Sequence, residues 1–204
     1  MNATPSWMGN AWSHWHRPWS IMHAAWHETA APAPSALADD WMLRLYYPAW
    51  CEQHGLATVM QAFEDNTWWQ LLGLPAGPFE QAVRRVGLLL MFAANARTRL
   101  QRRPGDDVAV VRWALGRTPF VPPAVIEAVG KARLPSSAAS HAALSLHWCL
   151  ADMPELQARL RLRFSPAELQ PAEKPGRHPE PAICAWLGTL WNGAVRTAHK
   201  EPLS

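Results

Sequence analysis

The stretch GPFEQAVRRVGLLLMFAANARTRLQRR, residues 77–103, decides the fold. Its apolar residues recur at spacings of three and four, which predicts one continuous helical face. From Val86 to Ala94 every residue is apolar or glycine, so the middle of this helix is predicted to be buried on all sides. A membrane span needs about 20 consecutive apolar residues, and this shorter run therefore favours a central buried helix.

Shorter apolar patterns fill the rest of the chain, and most begin at a capping residue or proline and end at glycine or proline. No two β-branched runs flank a hairpin turn. The segment RLRLRF, residues 159–164, alternates as a strand would, but it also fits a helix, which Pro154 and Glu155 favour as first-turn residues. Pro48 is expected to interrupt a helix and begin a new one. We predict an all-α fold, a compact single-domain bundle of about nine or ten short helices around the central helix 77–103.

The N-terminal residues 1–35 are predicted to form a Trp- and His-rich helical segment with a Pro/Ala linker, followed by an all-α domain over residues 36–204. A helical stripe at steps of three and four is formed by Trp12, Trp15, Trp19, Met22 and Trp26. Because Pro18 interrupts the stripe, we predict one helix over residues 7–16 and a second over 18–29. Residues 30–35 have the composition of an extended linker. The stripe is too apolar to leave in water, and the shortness of the linker favours docking in cis.

The composition is typical of a globular protein. Apolar residues make up 49% of the chain and charged residues 17%, which argues against disorder. The formal net charge of +3 is low for a nucleic-acid-binding domain. Cys51, Cys149 and Cys184 are widely spaced, so we expect free buried thiols in a reducing cytosol. Residues 1–20 lack the pattern of a secretory signal, and a cytoplasmic location is expected.

No motif in the sequence indicates a reaction. A G-x-S-x-G nucleophile elbow and a glycine-rich phosphate loop are absent, and the acidic residues cluster at helix starts, where capping explains them. His23 and His27 stand four residues apart, with His14 and His16 nearby. Two histidines at that spacing could bind one metal ion, but Glu28 is the only acidic residue nearby that could serve as a further ligand. We therefore favour a solvated polar face. We predict no catalytic residue, no metal site and no cofactor, and therefore no enzyme.

Arginine and tryptophan are in excess. Sixteen arginines stand against three lysines, and seven of them fall into two groups: Arg97, Arg99, Arg102 and Arg103, and Arg159, Arg161 and Arg163. Because guanidinium groups suit bidentate contacts with carboxylates, the two groups predict an acidic protein partner, although a genome rich in G and C explains the arginines as well. Thirteen tryptophans are too many for a core of this size. Tryptophan is enriched at protein interfaces, while a membrane interface and stacking on sugars or bases are alternatives. The partner-binding tryptophans are predicted to be Trp12, Trp15, Trp19 and Trp26.

Three stretches, WCLADMPEL (residues 148–156), RLRLRF (159–164) and LRLYYP (43–48), in a short, basic chain with a tryptophan-bearing C-terminal helix, resemble the SctK/YscK/PscK family of type III secretion systems. The resemblance covers most of the chain from residue 37 on. It implies a non-enzymatic cytoplasmic adaptor of the injectisome sorting platform, which links the inner-membrane ring protein SctD to the platform protein SctQ. The membrane would be reached only through the ring protein, and no nucleic acid is involved. The alternative is a helical enzyme or small-molecule binder with a tryptophan-lined pocket.

Overall fold

The computed structural model describes residues 6–26, 40–60, 67–94, 108–132, 134–135, 137–169 and 179–200. Within these ranges the chain forms ten α-helices and no β-strand, which confirms the all-α prediction. The helices are α1 (Ser6–His16), α2 (Asp40–Gln53), α3 (Thr67–Leu72), α4 (Ala76–Ala94), α5 (Val108–Arg117), α6 (Pro123–Lys131), α7 (Ala138–Cys149), α8 (Pro154–Arg161), α9 (Pro166–Leu169) and α10 (Pro181–Lys200). Short 3-10 helices lie at Pro18–Ser20, Ala24–Trp26 and Thr118–Phe120.

Two compact units make up the chain. Unit 1 combines Met1–Pro75 with Leu150–Pro166, and unit 2 combines Ala76–Cys149 with Ala167–Ser204. The predicted linker, residues 30–35, lies outside the described residues. The division into 1–35 and 36–204 therefore stays a prediction.

Helix α4 is the centre of unit 2, where the sequence placed the central buried helix. It packs against α5, α6, α7 and α10, and every residue from 85 to 90 is buried. Gly87 lies where α4 crosses the start of α7, and a Cβ atom at this position would overlap the carbonyl oxygen of Ala138. The described helix ends at Ala94, and its predicted continuation to residue 103 falls outside the described residues.

Polar groups connect α7 and α10 inside unit 2. The indole nitrogen of Trp191 donates a buried hydrogen bond of 3.0 Å to the Ser145 hydroxyl. At the other end, the thiol of Cys149 donates to the carbonyl oxygen of Cys184 at 3.6 Å. Burial, together with the neighbouring Cys184 thiol, raises the pKa of Cys149 to about 12, so it stays a neutral thiol. None of the three cysteines forms a disulfide, and Cys51 is buried whereas the other two are half-buried.

Helix α2 continues through Pro48, so the prediction of a new helix at that residue is wrong. Pro48 lies on the exposed side of the helix, where water can satisfy the carbonyl group left without an N–H partner one turn earlier. The helix ends at Gln53, and Gly55, two residues later, has a φ of 62°, which suits glycine at the C-terminal cap. There the N–H of Leu56 bonds to the carbonyl oxygen of Cys51 at 2.8 Å, as in a Schellman motif.

The N-terminal segment packs within unit 1. Helix α1 lies against α3, and the two approach so closely that a Cβ atom on Gly73 would overlap the carbonyl oxygen of Trp7. The helix predicted over residues 18–29 is replaced, as far as residue 26, by the two short 3-10 helices. Tertiary hydrogen bonds account for this difference, because the N–H of His23 bonds to the carbonyl oxygen of Leu162 at 2.7 Å instead of within a helix.

Candidate functional site

Aromatic rings form the interior of unit 1. Trp15 and Trp50 are fully buried. The Trp15 ring centroid lies 5.3 Å from that of Trp69, and Trp19 meets Trp50 edge-on at 5.5 Å. These separations fall in the range that favours aromatic pairs. Trp15, Trp50 and Trp69 therefore serve the packing of unit 1.

Arg159 is buried among these rings, with no exposed surface. Its guanidinium carbon lies 4.2 Å from the centroid of the Trp15 ring. Its Nη2 donates to the hydroxyl of Tyr47 at 2.8 Å and to the carbonyl oxygen of Ala57 at 2.6 Å. Within the described part of the chain it has no carboxylate partner, and its Nε and Nη1 have no hydrogen-bond acceptor. Arg159 thereby connects α8 with α1, α2 and the loop that follows α2.

Tyr47 shares this environment. Burial raises the pKa of its phenol to about 12, although the charge of Arg159 acts in the opposite direction. The hydroxyl group therefore stays protonated. Its oxygen accepts the hydrogen bond from Arg159, and its proton can be donated to the backbone carbonyl oxygen of Trp15 at 3.4 Å or of Thr58 at 3.3 Å. The arrangement holds a neutral donor and a buried cation in fixed positions, which stabilises unit 1.

Arg163 and His14 meet at the C-terminal end of α3. Nη1 of Arg163 donates to the carbonyl oxygens of Leu71 and Leu72 at 3.2 and 3.3 Å, and Nδ1 of His14 lies 2.7 Å from the same Leu72 oxygen. The last carbonyl groups of a helix lack intrahelical partners and carry the negative end of its dipole. Burial, with the charge of Arg163 as a smaller cause, lowers the pKa of His14.

These contacts correct the prediction that Arg159, Arg161 and Arg163 form one partner-binding group. Arg159 and Arg163 are buried and donate hydrogen bonds to groups of unit 1, and Arg161 alone of the three is exposed. Residues 159–161 belong to α8 and the chain turns immediately afterwards, so the alternating sequence does not place its arginines on one side. The helical interpretation of the start of this stretch is confirmed. Arg97, Arg99, Arg102 and Arg103 lie outside the described residues.

The N-terminal tryptophans occupy different environments. Trp15 is buried and Trp19 is half-buried, whereas Trp12 is exposed, with its ring centroid 4.4 Å from that of His16 and the two rings tilted. The indole nitrogen of Trp26 donates to the carbonyl oxygen of Phe164 at 2.7 Å. The stripe thus packs on its own chain over residues 12–26, in agreement with the predicted docking in cis. Trp12 alone of the four presents most of its side chain to solvent.

The histidines of this segment do not converge on one point. His14 contacts α3, His16 lies near Tyr47 with ring centroids 5.7 Å apart, and the Nδ1 of the exposed His23 accepts from the N–H of Ala25 at 3.1 Å. His27 lies outside the described residues. Among the residues that the structure describes, no three His, Cys, Asp or Glu side chains form a group able to hold a metal ion.

An exposed apolar stripe on α2 is the feature that sequence reasoning missed. Trp41, Leu45, Pro48 and Ala49 follow one another at helical spacing and are all exposed, with Trp41 at 60% and Leu45 at 71%. Trp50 and Cys51, on the opposite side, are buried. Because apolar residues occupy both sides of α2, the sequence carried no signal to tell which side faces solvent. We call these four residues the α2 stripe.

A further exposed aromatic, Phe120, lies in unit 2 in the turn after α5. No helix in the described ranges is long and apolar enough to cross a membrane. Among the described residues, each unit thus presents exposed apolar side chains to solvent, whereas the buried polar groups described above serve packing. Comparison of the chain with protein-family models, with curated proteins and with solved structures finds no match.

Proposed function

We propose that this protein is a non-enzymatic adaptor of the type III secretion sorting platform, which connects the ring protein SctD at the inner membrane with the platform protein SctQ. It works in the cytoplasm and reaches the membrane through the ring protein. The proposal rests on the resemblance carried by residues 43–48, 148–156 and 159–164, and the observation that supports it best is the α2 stripe.

The α2 stripe has the properties of a binding surface. A tryptophan and a leucine one helical turn apart are mostly exposed, although each would favour burial by about 2 kcal/mol or more. Tryptophan is among the residues most enriched at binding hot spots. Leu45 and Pro48 also belong to LRLYYP, one of the stretches on which the resemblance rests. An adaptor needs such surfaces, whereas an enzyme needs a convergent set of polar groups.

Affinity co-purification of the tagged full-length chain from the native cytoplasm tests this proposal. We expect the ring protein and the platform protein to be recovered together. Replacing Trp41 and Leu45 by serine should remove one of them, because the α2 stripe then loses its apolar anchors. Val59→Ser is the matched control, since Val59 is 77% exposed in the same unit but lies outside the stripe.

Two results contradict the proposal. One is recovery of neither secretion protein from cells that assemble the secretion system. The other is a specific catalytic activity that a single polar substitution abolishes. The group Arg97, Arg99, Arg102 and Arg103 stays a predicted contact for an acidic partner, and its charge reversal should slow association in a salt-dependent manner.

A further inference from the structure

We propose that the exposed side of α5 and the turn after it form a docking surface for an acidic amphipathic helix of a partner protein. The inference rests on the proposed adaptor function and adds the chemistry of one partner. The surface belongs to unit 2, whereas the α2 stripe belongs to unit 1. We call it the α5 face, and its residues are Val108, Arg112, Leu115 and Phe120.

The α5 face has a consistent geometry. Val108, Arg112 and Leu115 stand at positions i, i+4 and i+7 of the helix, so they share one side, and all three are exposed. Val110 and Ala114, on the other side, are buried against unit 2. Phe120 follows in the 3-10 helix Thr118–Phe120 and is 76% exposed. Residues 108–120 therefore present one aromatic side chain, Phe120, and two aliphatic side chains, Val108 and Leu115, to solvent.

The charged residues in this part of the chain are all positive. Residues 108–126 contain two arginines and no acidic residue. Arg112 makes no hydrogen bond or ion pair with the described residues. The next acid along the chain, Glu127, is paired with Lys131 at 2.6 Å. Asp106 and Asp107, which precede α5, lie outside the described residues. Among the described residues, Arg112 therefore has no carboxylate partner.

Arg117, nine positions after Val108, lies on the other side of α5 and adds positive charge at the C-terminal end of the helix. Its guanidinium carbon lies 4.2 Å from the centroid of the Trp113 ring, and its Nη1 donates to the carbonyl oxygen of Trp113 at 3.4 Å. A guanidinium that is stacked and exposed keeps donors free for a carboxylate and loses less conformational entropy when it binds. This favours an acidic partner over a neutral one.

The partner segment is expected to be a helix. The backbone N–H and C=O groups of α5 are largely used within the helix, so an extended strand cannot add to this surface through backbone hydrogen bonds. Recognition must come from side chains. A helix with apolar residues at i and i+3 or i+4 can contact Leu115 and Phe120 while an adjacent carboxylate contacts Arg112.

A peptide-display selection tests the inference with a defined probe. A library of random peptides of about 15 residues, enough for four helical turns, is selected on the full-length protein and depleted on the double variant Arg112→Glu, Phe120→Ser. We expect the enriched sequences to combine Asp or Glu with apolar residues at helical spacing. Synthetic copies, measured by fluorescence anisotropy, should bind each single variant about tenfold or more weakly, and less tightly at high salt.

Matched controls separate the α5 face from general effects of charge and hydrophobicity. Arg196→Glu reverses an exposed arginine on α10 of the same unit, and Val59→Ser removes an exposed apolar side chain of unit 1. Neither should change the affinity of the selected peptides by more than about twofold. An equal loss in Arg196→Glu would show unspecific attraction and overturn the inference.

Other outcomes assign the surface to a different occupant and equally overturn the inference. One is binding to phosphatidylserine vesicles that Phe120→Ser abolishes, without peptide binding. Another is self-association of the protein that the same variant abolishes, and a third is enrichment of peptides that lack carboxylates. Co-purification of the ring and platform proteins is measured separately. Their recovery without selected acidic peptides refutes the α5 face alone, and acidic peptides without their recovery refute the secretion assignment alone.

Discussion

At the scale of the single residue, Arg159 carries a charge in a place where no carboxylate of the described residues balances it. The Trp15 ring and the two oxygens it bonds offset part of the desolvation cost. We expect Arg159→Lys to lower the free energy of unfolding by about 2–4 kcal/mol. Lysine keeps the buried charge but loses the stacking and the planar fork. Arg159→Met should cost less, because it fills the volume without a charge. Urea unfolding measures both.

Arg161 provides the control for this comparison. It lies on the same helix but is exposed, so its replacement by lysine or methionine should change stability by only about 0.5 kcal/mol. A protein that tolerates lysine at position 159 but not methionine would contradict the expectation, since the positive charge itself would then be required.

At the scale of the element, the contact of α1 with α3 depends on the missing side chain of Gly73. A Cβ atom there meets the backbone of Trp7, which cannot move without displacing α1. We expect Gly73→Ala to destabilise the protein by about 1–3 kcal/mol and to increase hydrogen exchange in residues 6–26. Hydrogen–deuterium exchange with mass spectrometry, together with thermal unfolding, measures both effects.

Gly9 is a matched control within α1, since nothing lies within 4 Å of a Cβ atom at that position. Gly9→Ala should stabilise the protein by about 0.5–1 kcal/mol, because alanine favours the helix. If Gly73→Ala left both stability and exchange unchanged, α1 would not be packed on α3 in solution.

At the scale of the whole molecule, histidines in both units make stability depend on pH. Burial lowers the pKa of His14, His16 and His54 in unit 1 and of His141 in unit 2. Because the pKa of each histidine is lower in the folded chain, the unfolded chain binds protons at a higher pH than the folded chain does. The contribution of these histidines to the free energy of unfolding is therefore highest above pH 6.5 and decreases as the pH falls below that value. We expect the melting temperature to decrease from pH 7 to pH 5, as followed by circular dichroism.

Substituting glutamine for His14 and His141 should flatten this dependence, since glutamine takes no proton in the range. Each side chain lies near a backbone carbonyl oxygen, that of Leu72 for His14 and that of Ser137 for His141, and a glutamine amide can donate to such an oxygen. A melting temperature that rises on acidification, or one that falls equally in the double variant, would contradict the assignment of the effect to these two histidines.

The sequence by itself determined the helical class and the burial of α4. An apolar run with spacings of three and four satisfies its backbone groups as a helix, and its side chains avoid water only when other elements cover that helix. The absence of convergent catalytic motifs and the resemblance to a secretion adaptor were also visible in the sequence. Neither statement required knowledge of which side chains meet in space.

Only the tertiary structure decided which side of each shorter element faces solvent. Arg159 and Arg161 differ by two positions, yet one is buried under Trp15 and the other is exposed. The sequence could not separate them, because a buried arginine requires acceptors from α2 and from the loop after it, which lie about 100 residues away. The same holds for Trp41 and Trp50 on α2: burial is a property of what packs against a side chain, and that depends on contacts distant in the chain.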